Sequence, residues 1–415
     1  MSTSKLKTLI RGPILTTSGY GVFARVVLDS LLTQPEKFDV HVDPTVWGNC
    51  SWLWQDDEKR QIIDDLVLKH VKLFNETKGQ PQYDLSLQVT IPNEWDRMAR
   101  VNIGVCAGIE TTKVAGIWLE KANMMDKVIV TSEFAKNNFV NTVYDAAVPG
   151  TGEKFKYKLI KPIEVIGCPV QHVNQKPLDL DFKSDFNFLT VCQWGPRKNV
   201  DSLIKWFVEE FIDQNVGLVL KTFMMNNSLI DKEQVEKRLK NLLREYPERK
   251  CQVYLLHGDF TDEEMYSLYN HPKIKSFVTI PHAEGYCLPM LEAASCDLPV
   301  ICPEWSGYLD FMTLRDGSKS KSAFAKVDYD LNFVQKEAVW QGVIEADSMW
   351  AYPKQGSFKM RLREVYKDYE RFKSQAKKLS QQIKSTLTPE NIARQYCEAV
   401  DIKLDVSAML RNMNL

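Results

Sequence analysis

Short apolar runs alternate with amphipathic helical segments along most of the chain. Strand-like runs are predicted at Thr8–Leu15, Phe38–Val42, Leu85–Ile91, Val101–Ala107, Val128–Thr131 and Ile163–Ile166. Helical spacing predicts helices at Val22–Leu32, Lys59–Phe74, Ile117–Met125 and Glu133–Val140. In the second of these, Ile62, Ile63, Leu66, Val67, His70 and Val71 fall on one stripe. Strands alternating with helices imply βαβ units and a parallel sheet. The segment from Asp145 to Pro162, with PGTGEK and several lysines, breaks the rhythm and reads as a surface excursion.

The rhythm restarts with strands at Phe186–Cys192, Gly217–Phe223, Val253–Leu256, Ser276–Ile280 and Pro299–Cys302. The intervening helices are Val200–Gln214, Lys232–Tyr246, Asp262–Asn270 and Leu288–Ser295. The polar stretch Asn174–Asp185 separates the two series, and the chain turns helical again from about Phe358. The expected architecture is α/β, with two doubly wound Rossmann-like domains over 1–178 and 179–387. Open parallel sheets bind ligands beyond the carboxyl ends of their strands, so a crevice between the two halves is the expected site.

Composition supports two cores. At 415 residues the chain exceeds what one core organises, and its 44% apolar and 26% charged content is globular rather than disordered. A net charge of −1 argues against an overall basic nucleic-acid binder, but not against a local basic face. The nine cysteines include no CxxC pair, and the six histidines have no ligand spacing, so no metal site is predicted. No apolar stretch is long enough to span a bilayer, and no secretory leader is visible; a cytoplasmic location is expected.

Three strand-to-helix turns carry the candidate chemistry. In Thr16-Thr17-Ser18-Gly19-Tyr20-Gly21, Gly19 and Gly21 permit close backbone approach at a helix start that favours anions, although a plain tight turn fits equally. In Trp194-Gly195-Pro196-Arg197-Lys198-Asn199, Arg197 and Lys198 suit a diphosphate, or a solvated loop. Lys221 ends the next strand and is expected to point into the crevice. The third turn runs from Glu284 through Gly285, Tyr286, Cys287 and Leu288 into a helix bearing Glu292. Its backbone N–H groups and two carboxylates suit phosphate and sugar hydroxyls.

In this order the turns resemble the retaining glycosyltransferases of family 4, which have the GT-B fold. The family's hallmark is a Glu, seven residues and a second Glu, in a context like EGFGLPxLEAMAxGxPVI; here it is EGYCLPMLEAASCDLPVI, Glu284 to Ile301. Pro196–Asn199 is similar to the family's phosphate turn, and Trp305–Asp310 to its Gly-containing loop. The N-terminal GYG turn and Val128–Phe139 also fit, and the general style is similar to bacteriophage-encoded members. The resemblance implies a nucleoside-diphosphate-sugar donor, with Glu284 on the transferred sugar and the backbone of Gly285–Leu288 assisting. Glu292 would hold the ribose, and Arg197, Lys198 and Lys221 the diphosphate. It also implies no metal or other cofactor, and a last helix over 388–415 crossing back to the first domain.

Three departures stand out. Cys192 occupies the place of a family Arg, and Lys221 is the candidate substitute for its charge. Cys287 replaces a glycine and should leave the backbone less free. The catalytic-site His of many members is missing from Gly104–Thr112, where Glu110 is the candidate for that place or a helix-start residue. Tyr20, Asn93 and Trp95 are acceptor candidates, and Trp47, Trp52 and Trp54 are either an acceptor platform or packing. Asp179-Leu180-Asp181 and Asp328-Tyr329-Asp330 read as chance DxD patterns. Residues 354–384, with ten Lys or Arg against three acids, read as a solvated helix or an anion-binding face. The acceptor stays open among a glycan, a lipid-linked sugar and a hydroxymethylated DNA base. A non-catalytic sugar-nucleotide-binding protein is the remaining alternative.

Overall fold

The apolar runs become two wholly parallel six-stranded sheets in the computed structural model, which describes residues 5–171, 173–317 and 319–401. The first sheet contains β1 (Leu6–Gly12), β2 (Phe38–Pro44), β3 (Leu85–Val89), β4 (Val101–Cys106), β5 (Lys127–Val130) and β8 (Ile163–Val165). Its order is β2-β1-β3-β4-β5-β8. Parallel neighbours need helical crossovers, here α1 (Gly19–Leu32), α2 (Glu58–Glu76), α3 (Gly116–Met124) and α4 (Glu133–Asn141). Helices on both faces bury the central strands, so every residue of β3 and β4 is buried. The surface excursion is an antiparallel hairpin of β6 (Tyr144–Ala147) and β7 (Lys154–Tyr157).

The second sheet contains β9 (Asn187–Gln193), β10 (Gly217–Phe223), β11 (Gln252–Leu256), β12 (Ile274–Val278), β13 (Val300–Pro303) and β16 (Ala325–Val327). Its order is β11-β10-β9-β12-β13-β16. The helices between are α5 (Val200–Glu210), α6 (Leu229–Leu243), α7 (Asp262–Tyr269) and α8 (Leu288–Ser295). The polypeptide passes between the sheets twice, and the two passages meet where the Val170 amide donates to the Leu387 carbonyl at 2.8 Å. After α9 (Gln355–Lys367) and α10 (Tyr369–Thr386), α11 (Pro389–Ala399) lies on α1, with the Cys397 thiol donating to Ser30 O at 3.4 Å. The remainder of the 388–415 segment, from 402 on, lies outside the described residues.

Between β16 and α9 the apolar rhythm predicts nothing, yet the chain is ordered. After the hairpin β14 (Thr313–Asp316) and β15 (Lys319–Ser322), the strands β17 (Tyr329–Phe333) and β18 (Met349–Pro353) form a strap. Its tip crosses to the first sheet's half, where Val343 is 6% exposed and packs with Trp95, Val114 and Trp118. Thr112 N donates to Met349 O at 2.9 Å, and Asn93 Nδ2 to Gly342 O at 2.9 Å. The basic stretch 354–384 is partly neutralised in place: Lys359 pairs with Glu209, Arg363 with Glu210, and Arg361 with Glu364. Among the described residues no helix is long and apolar enough to cross a membrane.

Candidate functional site

Strand order creates the site. Because β9 lies beside β12, the turn after β9 meets the turn after β12. Pro196–Lys198 form one 3₁₀ turn, and Asn199 leaves it with φ 53°, a left-handed conformation asparagine tolerates, to start α5. This bend directs both cations at Glu284. Arg197 Nη1 donates to Glu284 Oε2 at 2.8 Å and to the Ala283 carbonyl at 2.7 Å. Lys198 Nζ donates to Glu284 Oε1. Glu110, from the loop after β4, completes the cluster: its Oε1 lies 3.2 Å from Arg197 Nη2. The structure therefore brings Glu110, Arg197, Lys198 and Glu284 together across the two halves.

Glu284 is 5% exposed. Burial pushes its carboxyl up, but the charges of Lys198 and Arg197 outweigh burial and hold it below the ordinary carboxylate range. Burial alone would lower Arg197, yet Glu110 and Glu284 more than compensate and keep it charged. Ser306 brackets the Glu284 peptide, its hydroxyl accepting from Glu284 N and donating to Glu284 O, both at 2.5 Å. Ser306 adopts φ 145° to do so, a conformation costly for a residue with a side chain.

The 285–288 backbone is shaped by contact between the halves. A Cβ on Gly285 would stand 2.5 Å from the Ala107 carbonyl oxygen, so only glycine permits this approach. The Gly285 carbonyl accepts from Ser132 Oγ at 2.8 Å. Tyr286 is buried, and its hydroxyl accepts from Cys168 N at 3.0 Å in the crossing segment, which makes its side chain a peg between the halves. Cys287 stands at φ 74°, the left-handed region that its predicted lack of freedom opposes; the neighbouring contacts impose the turn and α8 starts from it. Leu288 is the first residue of α8.

Glu292 lies about one turn into α8, on the wall of a cavity of about 210 Å³ shared by both halves. Arg25, Cys168, Asp262, Tyr269 and Leu288 also line it. Glu292 is open to this cavity, yet the protein surrounding it pushes the carboxyl up to about 7. The Tyr269 hydroxyl, donating to Oε2 at 2.8 Å, opposes the rise, and Asp262 adds to it.

Other expectations need correction. Lys221 does not join the cations: its ammonium donates to the Gly258 carbonyl at 2.6 Å and lies over the Phe260 ring. Burial lowers it to about 8, Asp259 only partly opposing, so it braces the loop after β11 instead of supplying charge beside Cys192. Trp95 is fully buried, against Gly104, and belongs to the core. Asn93 spends its amide on Gly342 and on accepting from Trp118 Nε1 at 2.7 Å, so its groups are structural. Tyr20 stacks 4.2 Å from Trp47, and its hydroxyl accepts from Ala107 N at 3.2 Å. Gly21 is sterically required, since a Cβ would stand 2.2 Å from Thr16 O; Gly19 faces open space. Ser18 caps α1 by accepting from Gly21 N at 3.0 Å. Residues without an assigned role that the structure adds are Ser132, Ser306 and the strap. The first two lie in segments whose pattern already stood out; the strap has no local signal.

No protein-family model matches the chain, and no curated protein matches it. Solved structures do. Sucrose-phosphate synthase from Thermosynechococcus elongatus superposes over 95% of this chain and 98% of its own, with a TM-score of 0.59 at 14% identity. The chain has the GT-B fold. Anabaena HepE in complex with UDP matches over 95% of this chain and 99% of its own, TM-score 0.56, at 12% identity. A glycosyltransferase from Rickettsia africae covers 96% and 98%, TM-score 0.55, at 11% identity. In GT-B terms, the Glu284 cluster and the Glu292 cavity both lie where the two Rossmann-like halves meet.

Proposed function

We propose that the protein is a retaining glycosyltransferase that moves a sugar from a nucleoside-diphosphate sugar to an acceptor hydroxyl. The observation that carries this reading is the convergence of Arg197 and Lys198 on Glu284, with Glu110 opposite, in the cleft of a GT-B fold. UDP bound to the similarly folded HepE supports a nucleotide donor. Without ligand, Glu284 neutralises the two cations. A bound diphosphate would take over part of that neutralisation, freeing Glu284 to accept hydrogen bonds from the transferred sugar.

Chemistry follows from charge. As the glycosidic bond breaks, negative charge grows on the diphosphate. Arg197 and Lys198 are already fixed beside it, so they stabilise the transition state more than the ground state. These cations do the work a metal would do in a metal-dependent transferase. The acceptor hydroxyl attacks from the face the diphosphate leaves and passes its proton to a diphosphate oxygen, which gives retention. Glu292 would accept from the ribose hydroxyls within the cavity of about 210 Å³. The 1–178 and 179–387 domains then act as acceptor and donor halves, with α11 tying the second back to the first.

The test is release of nucleoside diphosphate from a panel of UDP-, GDP- and ADP-sugars. Wild type should turn over one donor, and Lys198→Ala should do so about 10²–10³-fold less efficiently. A wild type that binds a donor but neither hydrolyses nor transfers it would be a non-catalytic binding protein.

A further inference from the structure

The tryptophans between β2 and α2 have no part in the site described so far. Trp52 is 48% exposed and Trp54 68% exposed, with Val46 beside them in sequence at 73%. Their backbone is nevertheless tied down. Thr17 N donates to Ser51 O at 2.9 Å, Leu53 N donates to Leu15 O at 2.8 Å, and Trp52 bridges Thr16. Arg60 Nη1 adds a bond to the Leu53 carbonyl at 2.9 Å. A fold that holds this backbone rigid while leaving two large indoles in water forgoes their burial, and such exposure marks a contact surface.

The loop is continuous with the reaction centre. Thr16 Oγ1 lies 2.7 Å from the hydroxyl of Ser18, the α1 cap. Trp47 stacks on Tyr20, Tyr20 accepts from Ala107, and the Ala107 carbonyl abuts Gly285, next to Glu284. Trp47 thus joins this loop to the first half's edge of the cleft, and Trp52 and Trp54 follow it on the segment bridged to Thr16.

Charge selects the occupant. Residues 43–65 contain six carboxylates and two cations. Both cations are engaged, Lys59 with Asp29 at 2.7 Å and Arg60 with Asp64 at 2.9 Å, and Asp43 pairs with Arg11 at 3.4 Å, which leaves Asp56, Asp57, Glu58 and Asp65 as the carboxylates of this stretch without an ion pair among the described residues. A phosphate-bearing acceptor needs Lys or Arg to neutralise it, and a carboxylate-rich surround repels it. A neutral sugar has the opposite needs: an apolar C–H face for an indole and hydroxyls that donate to carboxylates such as Asp56 and Glu58.

We propose that Trp52 and Trp54 are an acceptor platform for a neutral carbohydrate, stacked ring against indole. This inference rests on the glycosyltransferase reading and names its acceptor class. Three probes test it by ligand-observed NMR with the full chain: a set of neutral tetrasaccharides (maltose-, cellulose- and mannan-type), a twenty-residue thymidine oligonucleotide, and phosphatidylglycerol vesicles. At least one tetrasaccharide should bind, and Trp54→Ala should weaken it about five- to tenfold. Trp54→Tyr should restore most of the affinity. Thermal stabilisation by nucleoside diphosphate should be unchanged in both variants, which separates loss of the platform from loss of the fold. Trp54-dependent binding of the oligonucleotide or the vesicles instead, or of none of the probes, overturns the proposal. If no nucleoside diphosphate stabilises even the wild type, the glycosyltransferase reading itself fails, whatever the platform binds.

Discussion

Arg197 and Glu110 come from opposite halves of the molecule and meet at 3.2 Å, while the same guanidinium holds Glu284 at 2.8 Å. One side chain thus links closure of the cleft to the placement of the buried carboxylate. A cation bonded on two sides is also preorganised, because little rotamer freedom remains to be lost when an anion arrives.

Lys198 is the cleaner of the two cations to remove. In Lys198→Ala, Glu284 keeps Arg197 as partner, so the fold should survive with Tm lowered by only a few degrees. Donor kcat/KM should fall about 10²–10³-fold, the loss typical of removing one preorganised group at a developing charge. Arg197→Ala should behave differently. It leaves Glu110 without its cation and the Ala283 carbonyl without its donor, while Glu284 keeps only Lys198, so Tm should fall further than in Lys198→Ala. Thermal melts alongside nucleoside-diphosphate release distinguish the two.

Glu110→Gln keeps the shape and removes the charge. The pair is partly solvated, with side chains 28% and 22% exposed, so its loss should cost roughly 0.2–1 kcal/mol of closure. Turnover should fall by about fivefold with donor Kd unchanged, and X-ray scattering should show a larger radius of gyration. A loss beyond about a hundredfold would instead assign Glu110 to proton transfer.

Glu292 predicts a pH dependence of definite sign. Its carboxyl ordinarily titrates at 4.5 and is raised to about 7 in the fold. Between those values the folded chain holds a proton that the unfolded chain has lost, so stability falls as pH rises through the window. Glu292→Gln should therefore melt higher than wild type at pH 8 and equally at pH 4. Donor binding should move the other way. Wild-type affinity should rise as pH passes 7, because the charged carboxylate accepts from both ribose hydroxyls. The variant should bind about tenfold more weakly with that pH dependence gone.

Gly285→Ala tests the contact between the halves. The added Cβ would stand 2.5 Å from the Ala107 carbonyl, backbone that cannot swing aside. Each half should stay folded, with unchanged far-ultraviolet circular dichroism. The cleft should open in solution scattering, and activity should drop by about 10²-fold through misplacement of the reacting groups.

Periodicity reads the βα units well because each is local: a buried strand needs a continuous apolar run and a helix needs one apolar stripe. The Arg197–Lys198 turn and the Glu284–Glu292 spacing are equally local. The 328–353 strap was not legible for the opposite reason. Val339, Trp340, Val343 and Ile344 form a short apolar cluster without the alternation of a strand, and the buried partners of Val343 belong to the other half of the molecule. Trp95 shows the converse: its position after β3 pointed to the cleft, but Gly104 leaves room for the indole inside.

By itself, then, the sequence determined the two α/β series, the turns that carry charge, and which residue types stand in them. Only the tertiary structure decided which charges meet. Arg197 and Glu284 are 87 residues apart, and they touch because β9 pairs with β12 in the sheet. Lys221, on the neighbouring strand β10, turns to Gly258 and leaves the cluster. Spacing along a chain specifies local conformation, but strand order and the docking of two halves are long-range outcomes of burial, and they determine whether a lysine faces a carboxylate or a carbonyl.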